Sequence, residues 1–405
     1  MLSPAVFEEY PISLEHTEFR GREFFAKQNI AKGDLVIAAS VYATGIFDSH
    51  KKKVCTTCLK WQNAHGSWLT RCSKCDKTFY CSLECRRLDR LAGHRKICLG
   101  LRKLAALKIN QHEYGVLKLV LKVLMFADVE GEEKGDDDGE GDCEHGVPDQ
   151  DVTSVISGPM DVLGCDPGIT DGSLNEEVNT AKVNGADQTK LSPLPVSDTD
   201  AIDSSLNEEL DVPEETETLI TTPLPFPTYD ELVALESHAS NWATEEEQSY
   251  KKGIRFVKQF VETSALTRKV DETEIKNLVS RIETNGFGVW NHNGSCYGRA
   301  IAPHLSYFNH SCDPNCDVKG GSIMTVTANR DIVEGEPLTI TYIETNAPVS
   351  ARRAKLLEDY HFTCGCPRCE TEAQLPQQKI SYQSKAGGKK PGHRKKQVVP
   401  KVLEA

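Results

Sequence analysis

Eight residues between positions 55 and 98 restrict this chain more than any other feature. Cys55, Cys58, Cys72, Cys75, Cys81, Cys85, His94 and Cys98 follow the spacing C-x2-C-x13-C-x2-C-x5-C-x3-C-x8-H-x3-C. Thiolates and an imidazole suit zinc, and two sets of four fill two tetrahedral sites with no position left open for catalysis. Both ions are therefore expected to be structural. Residues 81–90 and 91–98 can form helix turns that put ligands four apart on one face. So short a segment has no core of its own, and metal binding should stabilise it directly. Spacing alone leaves sequential and interleaved pairing of the ligands both open.

The chain has 405 residues and 15 cysteines. Its N-terminus shows no apolar run with a basic flank, so no signal peptide is expected. The longest apolar stretch, residues 116–127, is broken by Lys118 and Lys122 and falls short of the ~18 residues that would suggest a membrane helix. A nuclear or cytoplasmic protein in a reducing compartment, off the membrane and monomeric, is the expectation. There, Cys-x-x-Cys pairs signify metal rather than disulfides. The net charge of −13 hides an uneven distribution. Residues 128–222 hold 27 Asp and Glu against three Lys, a charge of −24, and the remainder carries +11. A basic body suits acidic partners, including nucleic acid, but an excess of solvated lysines accounts for it equally.

Residues 5–46 alternate short apolar runs with turns, among them Gly33-Asp34. Residues 101–127 are expected to be helical, with Leu104, Leu107, Leu117, Leu121 and Leu124 on the apolar stripe. Residues 128–222 lack aromatics and are expected to be disordered. A crude repeat, Ser-Leu-Asn-Glu-Glu at 173 and 205, lies within them. Helix is expected again at 229–263, with Thr228 as its cap, and at 272–283. Residues 289–297, 323–328 and 338–343 read as strands. Residues 389–396 form a basic cluster suited to nuclear import or nucleic acid.

Four further stretches carry a resemblance. They are the Gly-rich start at residues 20–26, the run Asn309-His310-Ser311-Cys312-Asp313-Pro314-Asn315, the segment Thr341-Tyr342-Ile343, and Cys364-Gly365-Cys366-Pro367-Arg368-Cys369. Together they resemble SET-domain lysine methyltransferases, and the 55–98 cluster narrows the likeness to the SET-and-MYND (SMYD) subfamily. The matching blocks cover about residues 5–126 and 228–370. The resemblance implies an α+β protein: a β-rich SET fold with an inserted MYND zinc finger, a helical insert and a zinc-bound post-SET segment. The corresponding divisions are 1–50 for the first SET part, 51–100 for the finger and 101–127 for a helical segment. They continue with 128–222 for an acidic insert, 223–284 for the helical SET insert and 285–347 for the catalytic core. Residues 348–372 form the post-SET segment and 373–405 a basic tail.

By the same resemblance, Cys55, Cys58, Cys81 and Cys85 would take one zinc and Cys72, Cys75, His94 and Cys98 another. Cys312 would join Cys364, Cys366 and Cys369 around a third, with Cys316 the competing ligand. S-adenosylmethionine (SAM) would be held by Arg20, Gly21, Arg22, Asn285, Asn309, His310, Tyr342 and Phe362. Family members usually have Gly-x-Gly at the first of these sites, whereas Glu23 stands at the second Gly position here. Tyr342 would orient the lysine amine and Tyr360 would line its channel. A narrow aromatic channel desolvates the ammonium, lowers its pKa and favours cationic reactants. Alignment and exclusion of water would supply most of the rate gain. The expected substrate is a lysine of a histone or non-histone protein. Trp61, Trp68, Phe79 and Tyr80 either fill the finger's core or offer a shelf to a proline-rich peptide. The competing function is a non-catalytic adaptor that recruits partners through the finger. Direct nucleic-acid binding ranks last, because no base-reading element is evident.

Overall fold

In a computed structural model, residues 4–61, 70–133 and 223–374 are described. Trp68, most of the acidic insert with its repeat, and the basic cluster at 389–396 lie outside them. The chain opens with a hairpin of β1 (Ile12–Thr17) and β2 (Gly21–Ala26), in which Leu14 pairs with Phe24. Phe24 is fully buried, with ring centroids 5.0 Å from Phe7 and 4.8 Å from Phe308. Next come β3 (Leu35–Ser40) and β4 (Ala43–Ile46). The finger follows, with a minimal ladder of β5 (Thr70–Arg71) and β6 (Phe79–Tyr80), helix α1 (Leu83–Asp89) capped by Ser82, and α2 (Arg95–Leu104).

The expected helix at 101–127 is two helices. The second, α3 (Gln111–Glu133), starts afresh because Asn110 and Glu113 cap each other. Asn110 Oδ1 accepts from Glu113 N at 2.8 Å, and a Glu113 oxygen accepts from Asn110 N at 3.3 Å. Leu117, Leu119, Val120, Leu121, Val123 and Leu124 are all buried, so α3 is enclosed on most sides rather than along one stripe. Its lysines close the open edge of β4: Lys118 Nζ donates to Ile46 O, and Lys122 Nζ donates to Thr44 O at 3.0 Å. Burial pushes Lys118 down to about 8.

This helix also outruns the expected boundary at 127. Asp128 is buried and accepts from Thr267 N at 2.6 Å, Arg268 N at 2.9 Å and Lys96 Nζ at 2.6 Å. Glu130 accepts from Tyr229 N at 2.9 Å. The first acidic residues of the insert are thus anchors of the folded body. Among the described residues no helix is long and apolar enough to cross a membrane.

The expected helix at 229–263 is also broken. Thr228 and Glu231 form a capping box for α4 (Tyr229–Val233), and the chain then turns before α5 (Thr244–Thr263). Between them Ser237 Oγ accepts from Ala239 N and donates to Asn277 Oδ1, a local polar competitor to helix. Helix α6 (Glu272–Asn285) runs into β7 (Gly286–Trp290), which turns through Asn291–Ser295 bonds into β8 (Cys296–Ile301). The expected strand at 289–297 is therefore a hairpin, and β8 is central to the sheet β4-β8-β7.

A two-residue strand, β9 (Asn309–His310), precedes β10 (Cys316–Gly320) and β11 (Ile323–Ala328), which joins β3 in the sheet β10-β11-β3. The expected strand at 338–343 shrinks to β12 (Thr339–Ile340), which pairs in parallel with β9. Two helices end the described chain, α7 (Val349–Tyr360) and α8 (Pro367–Gln374).

Glu283 ties four of these elements together. It accepts from Arg299 Nη1 at 2.7 Å, meets His112 Nε2 at 2.6 Å, and accepts the hydroxyl of Tyr250. Burial alone would raise its carboxyl, but Arg299 and His112 hold it far below the usual carboxylate range. A depressed folded-state pKa gives stability that is complete above the unfolded value of about 4.3 and is lost as pH falls towards the folded value. Glu283→Ala should cost about 3–5 kcal/mol by leaving Arg299 buried without its anion. The shift of the urea midpoint at neutral pH checks this, and the difference from wild type should narrow below pH 4.

Candidate active site

Tyr342 follows β12 and lies at the centre of an aromatic cluster. Its ring centroid is 5.0 Å from that of Tyr360, 5.3 Å from that of His310 and 6.3 Å from that of Phe362. The hydroxyl of Tyr342 donates to Phe308 O at 2.6 Å, and that of Tyr360 donates to Tyr342 O at 3.2 Å. Both phenols are buried, and burial raises their pKa well above the ordinary tyrosine value. They therefore stay protonated and act as fixed donors. His310 Nδ1 accepts from Tyr342 N at 3.0 Å, which places the ring proton on Nε2, 3.3 Å from Cys312 Sγ. Burial lowers the His310 pKa, so the ring is neutral.

The first hairpin reaches this cluster through one side chain. Arg20 Nη2 donates to His310 O at 3.0 Å, and Asn309 Nδ2 donates back to Arg20 O at 3.2 Å. Gly21 follows with φ +66, a backbone state in which a side chain would be strained. Glu23 is buried within the hairpin. Its Oε1 accepts from Thr17 Oγ1 at 2.7 Å and its Oε2 lies 3.6 Å from Arg20 Nη1. The carboxylate that replaces the expected Gly is thus turned inward.

Arg22 and Asn285 bond to a neighbouring turn. Arg22 Nη2 donates to Ala234 O at 2.8 Å, and its guanidinium lies 4.8 Å over the Tyr307 ring. Asn285 Nδ2 reaches Glu236 O at 3.3 Å and Arg281 O at 3.1 Å. Arg281 Nε donates to Leu235 O at 2.8 Å. Three side chains thereby hold three successive carbonyls of the turn after α4. That turn meets the cluster's edge through His238, whose ring lies 4.7 Å from that of His361, the residue before Phe362. The donors of Arg22 and Asn285 shape this wall.

Three sets of metal-ligating side chains converge. Cys55, Cys58, Cys81 and Cys85 form one, Cys72, Cys75, His94 and Cys98 a second, and Cys312, Cys364, Cys366 and Cys369 a third, with ligand atoms in each set within 4.8 Å of one another. The finger is therefore interleaved. Cys316 is not in the third set; it is buried at the start of β10, opposite Ala328. Cys296 donates to Gly298 O instead. Sulfurs around a tetrahedral zinc with Zn–S bonds of about 2.3 Å lie about 3.8 Å apart. The observed separations are 3.5 Å for Cys58–Cys81, 3.7 Å for Cys72–Cys98 and 4.0 Å for Cys312–Cys364. They are far too long for disulfides, with S–S of about 2.05 Å, and fit the ion. Zinc could occupy all three sets.

Several supporting residues escaped the sequence. His94 turns Nε2 to Cys75 at 3.7 Å and Nδ1 to Asp89 at 3.2 Å, so Asp89 fixes the tautomer of a candidate ligand. Gly93 makes this possible. Its φ is +95, and a Cβ there would lie 2.9 Å from Met125 Cγ. Arg352 is buried against the third set, donating Nε to Cys312 Sγ at 3.2 Å and Nη2 to Cys369 Sγ at 3.3 Å. With zinc bound it would partly offset the charge of the four thiolates. Arg368 Nη1 donates to Cys312 O at 2.8 Å. An Arg-Arg pair in an amphipathic helix reads as solvent-facing, so only the structure reveals Arg352. In the finger, Phe79 and Tyr80 are buried and cannot form an exposed shelf. Trp61 is half-buried and seats the finger on Tyr297, with ring centroids 5.5 Å apart.

The family model of the SET domain matches residues 21–343. A SET and MYND domain-containing protein of Dictyostelium discoideum is 42% identical over 109 residues, 27% of this chain and 28% of that protein. The N-lysine methyltransferase SMYD2-A of Xenopus laevis is 29% identical over 153 residues, 38% of this chain and 35% of that one. The human histone-lysine N-methyltransferase SMYD3 is 37% identical over 94 residues, 23% of this chain and 22% of that one. The matched stretches thus span about a third or less of each relative's length. A solved SET domain, that of LSMT bound to lysine and AdoHcy, superposes with a TM-score of 0.36 at 10% identity. It covers 88% of this chain and 54% of that one, too loose a superposition to build on. On the cysteine geometry, the chain should carry about three zinc ions, and Cys312→Ser should lower that to about two. Elemental analysis of the purified protein checks this, and an unchanged stoichiometry would reject the third site.

Proposed function

The chain belongs to the SET-domain family, in its SET-and-MYND (SMYD) branch, and from that premise we propose that it is a protein-lysine N-methyltransferase using SAM. The observation that carries the proposal is the setting of Tyr342. Its backbone N–H holds His310 in one tautomer, its hydroxyl is fixed on Phe308 O, and the rings of Tyr360 and Phe362 flank it. Two relatives named as lysine methyltransferases support it.

The chemistry of the cluster fits the cofactor. Bound SAM supplies a methyl group on a positively charged sulfur. Asn309 and Phe362 are only half-buried, leaving an amide and an aromatic face at the rim of an otherwise buried cluster. Arg20, Gly21, Asn309, His310 and Phe362 are the residues that would hold the cofactor, with Asn285 on the turn side. The two phenols remain neutral donors, and their rings offer faces that attract cations. A lysine entering between them loses water, which lowers its pKa and favours the neutral amine needed for attack. Fixed hydroxyls and excluded water align the amine without further reorganisation. The substrate is a lysine of a protein, histone or otherwise.

The missing second Gly would favour the adaptor alternative slightly, but Glu23 is accommodated inside the hairpin. Calorimetry with SAM on zinc-loaded protein should show binding that falls at least about tenfold in Asn309→Ala, the loss expected for a hydrogen-bonding side chain in a cofactor site. Tyr342→Phe should keep SAM affinity within about threefold and lower methyl transfer to a lysine peptide library by about 100-fold or more. Wild-type protein that binds no SAM would end this proposal.

A further inference from the structure

Glu23 is the point at which the chain departs from the Gly-x-Gly expected beside the cofactor, and its surroundings show a carboxylate built into the site. Only 3% of the residue is exposed. Oε1 is hydrogen-bonded to Thr17 across the hairpin, whereas Oε2 is buried with no hydrogen-bond partner. The cation nearest to Oε2 is the Arg20 guanidinium, 3.6 Å away. Glu15, the cross-strand neighbour of Glu23, is exposed and accepts from Ser13 at 3.0 Å. Burying a carboxylate is costly unless a paired charge offsets it, so Glu23 and Arg20 depend on each other.

Arg20 in turn spans the gap to the catalytic motif. The same guanidinium donates to His310 O, while the Arg20 carbonyl receives the Asn309 amide. Its side chain is 39% exposed, and no described carboxylate other than Glu23 pairs with it. Without Glu23 the guanidinium would be free to turn to solvent and release the His310 carbonyl. A glycine at 23 would also loosen the strand.

We propose that Glu23 is a positioning residue for the cofactor site: through Arg20 it fixes the His310 carbonyl and the Asn309 amide, the pair that would hold SAM. The inference rests on the function proposed above. The relay Thr17–Glu23–Arg20–His310 takes the place of a close-packed glycine turn. Reverting Glu23 to the family's glycine therefore weakens the site rather than repairing it.

A double-mutant cycle read by SAM calorimetry on the full zinc-loaded chain tests this, with melting temperatures measured without SAM. Glu23→Gln and Arg20→Gln should each weaken SAM binding by about tenfold, the scale of one charge-assisted hydrogen bond, and the double variant should bind no more weakly than the weaker single. Glu23→Gly should bind SAM more weakly than wild type. Multiplying effects in the double variant, an unchanged affinity in either single, or tighter binding by Glu23→Gly would overturn the proposal. Should Glu23→Gln prove too unstable to assay, Thr17→Val, which removes the partner of Glu23 Oε1 from outside the cofactor site, decides: weaker SAM binding at unchanged melting temperature supports the relay, and unchanged affinity rejects it. Absence of SAM binding in wild type would instead remove the underlying function.

Discussion

Cys312 stands two residues after His310 and forms a candidate zinc site with three cysteines more than 50 positions further on. One end of this site directly follows β9, the strand that carries Asn309 and His310. The other runs from the end of α7 at Tyr360, through Phe362, into α8. The aromatic cluster exists only where these two ends meet. Residues 361–366 contribute no regular structure, so no ladder or helix bond holds that stretch. A tetrahedral ion sets four positions at once and couples metal binding to the order of the site. Arg352, Arg368 and the ring of His310 then brace the same cysteine from three sides.

Much of this was legible in the sequence because metal ligands and short motifs are local statements about chemistry. The three ligand sets fall where the spacing and the family resemblance put them, including the interleaving that spacing alone left open. The Thr228 cap and the strand at 323–328 were equally plain. What failed was continuity. Apolar periodicity ran through 101–127 without showing the reciprocal cap of Asn110 and Glu113, although that signal was present in the sequence. Composition placed Asp128 and Glu130 in the acidic insert, but each has a specific buried or backbone partner far away in the chain. The roles of Asp89, Arg352 and Glu23 were invisible for a related reason. A charged side chain reads as solvated until the fold supplies its partner.

The helical insert shows how such partners are used. Arg22, Arg281 and Asn285 come from a strand and the last two turns of α6, yet they hold Ala234, Leu235 and Glu236 in succession. A turn of this kind has no ladder to satisfy its carbonyls, and these donors supply one. The wall beside the cluster is thus set by side-chain donors rather than by a strand, and two of them, Arg22 and Asn285, are residues to which the family resemblance gives a cofactor role.

Charge balance around the cluster follows one pattern. Three arginines face it electrostatically: Arg20 acts on Tyr342 and His310, Arg299 on Tyr360, and Arg352 on His310. Each is matched at close range, Arg20 by Glu23, Arg299 by Glu283, and Arg352 by Glu372 and two cysteine sulfurs. A site proposed to receive a sulfonium and to release a methylated ammonium cannot carry a surplus of positive potential, since like charges in a dry pocket repel strongly. Removing the arginines would lose the clamps on His310 and the thiolates. Keeping them unpaired would oppose both cations. Pairing each with its own anion retains the clamps and leaves the aromatic faces to set the local field. On this account the carboxylate at Glu23 is a consequence of keeping Arg20 at the site, rather than decay of a glycine turn.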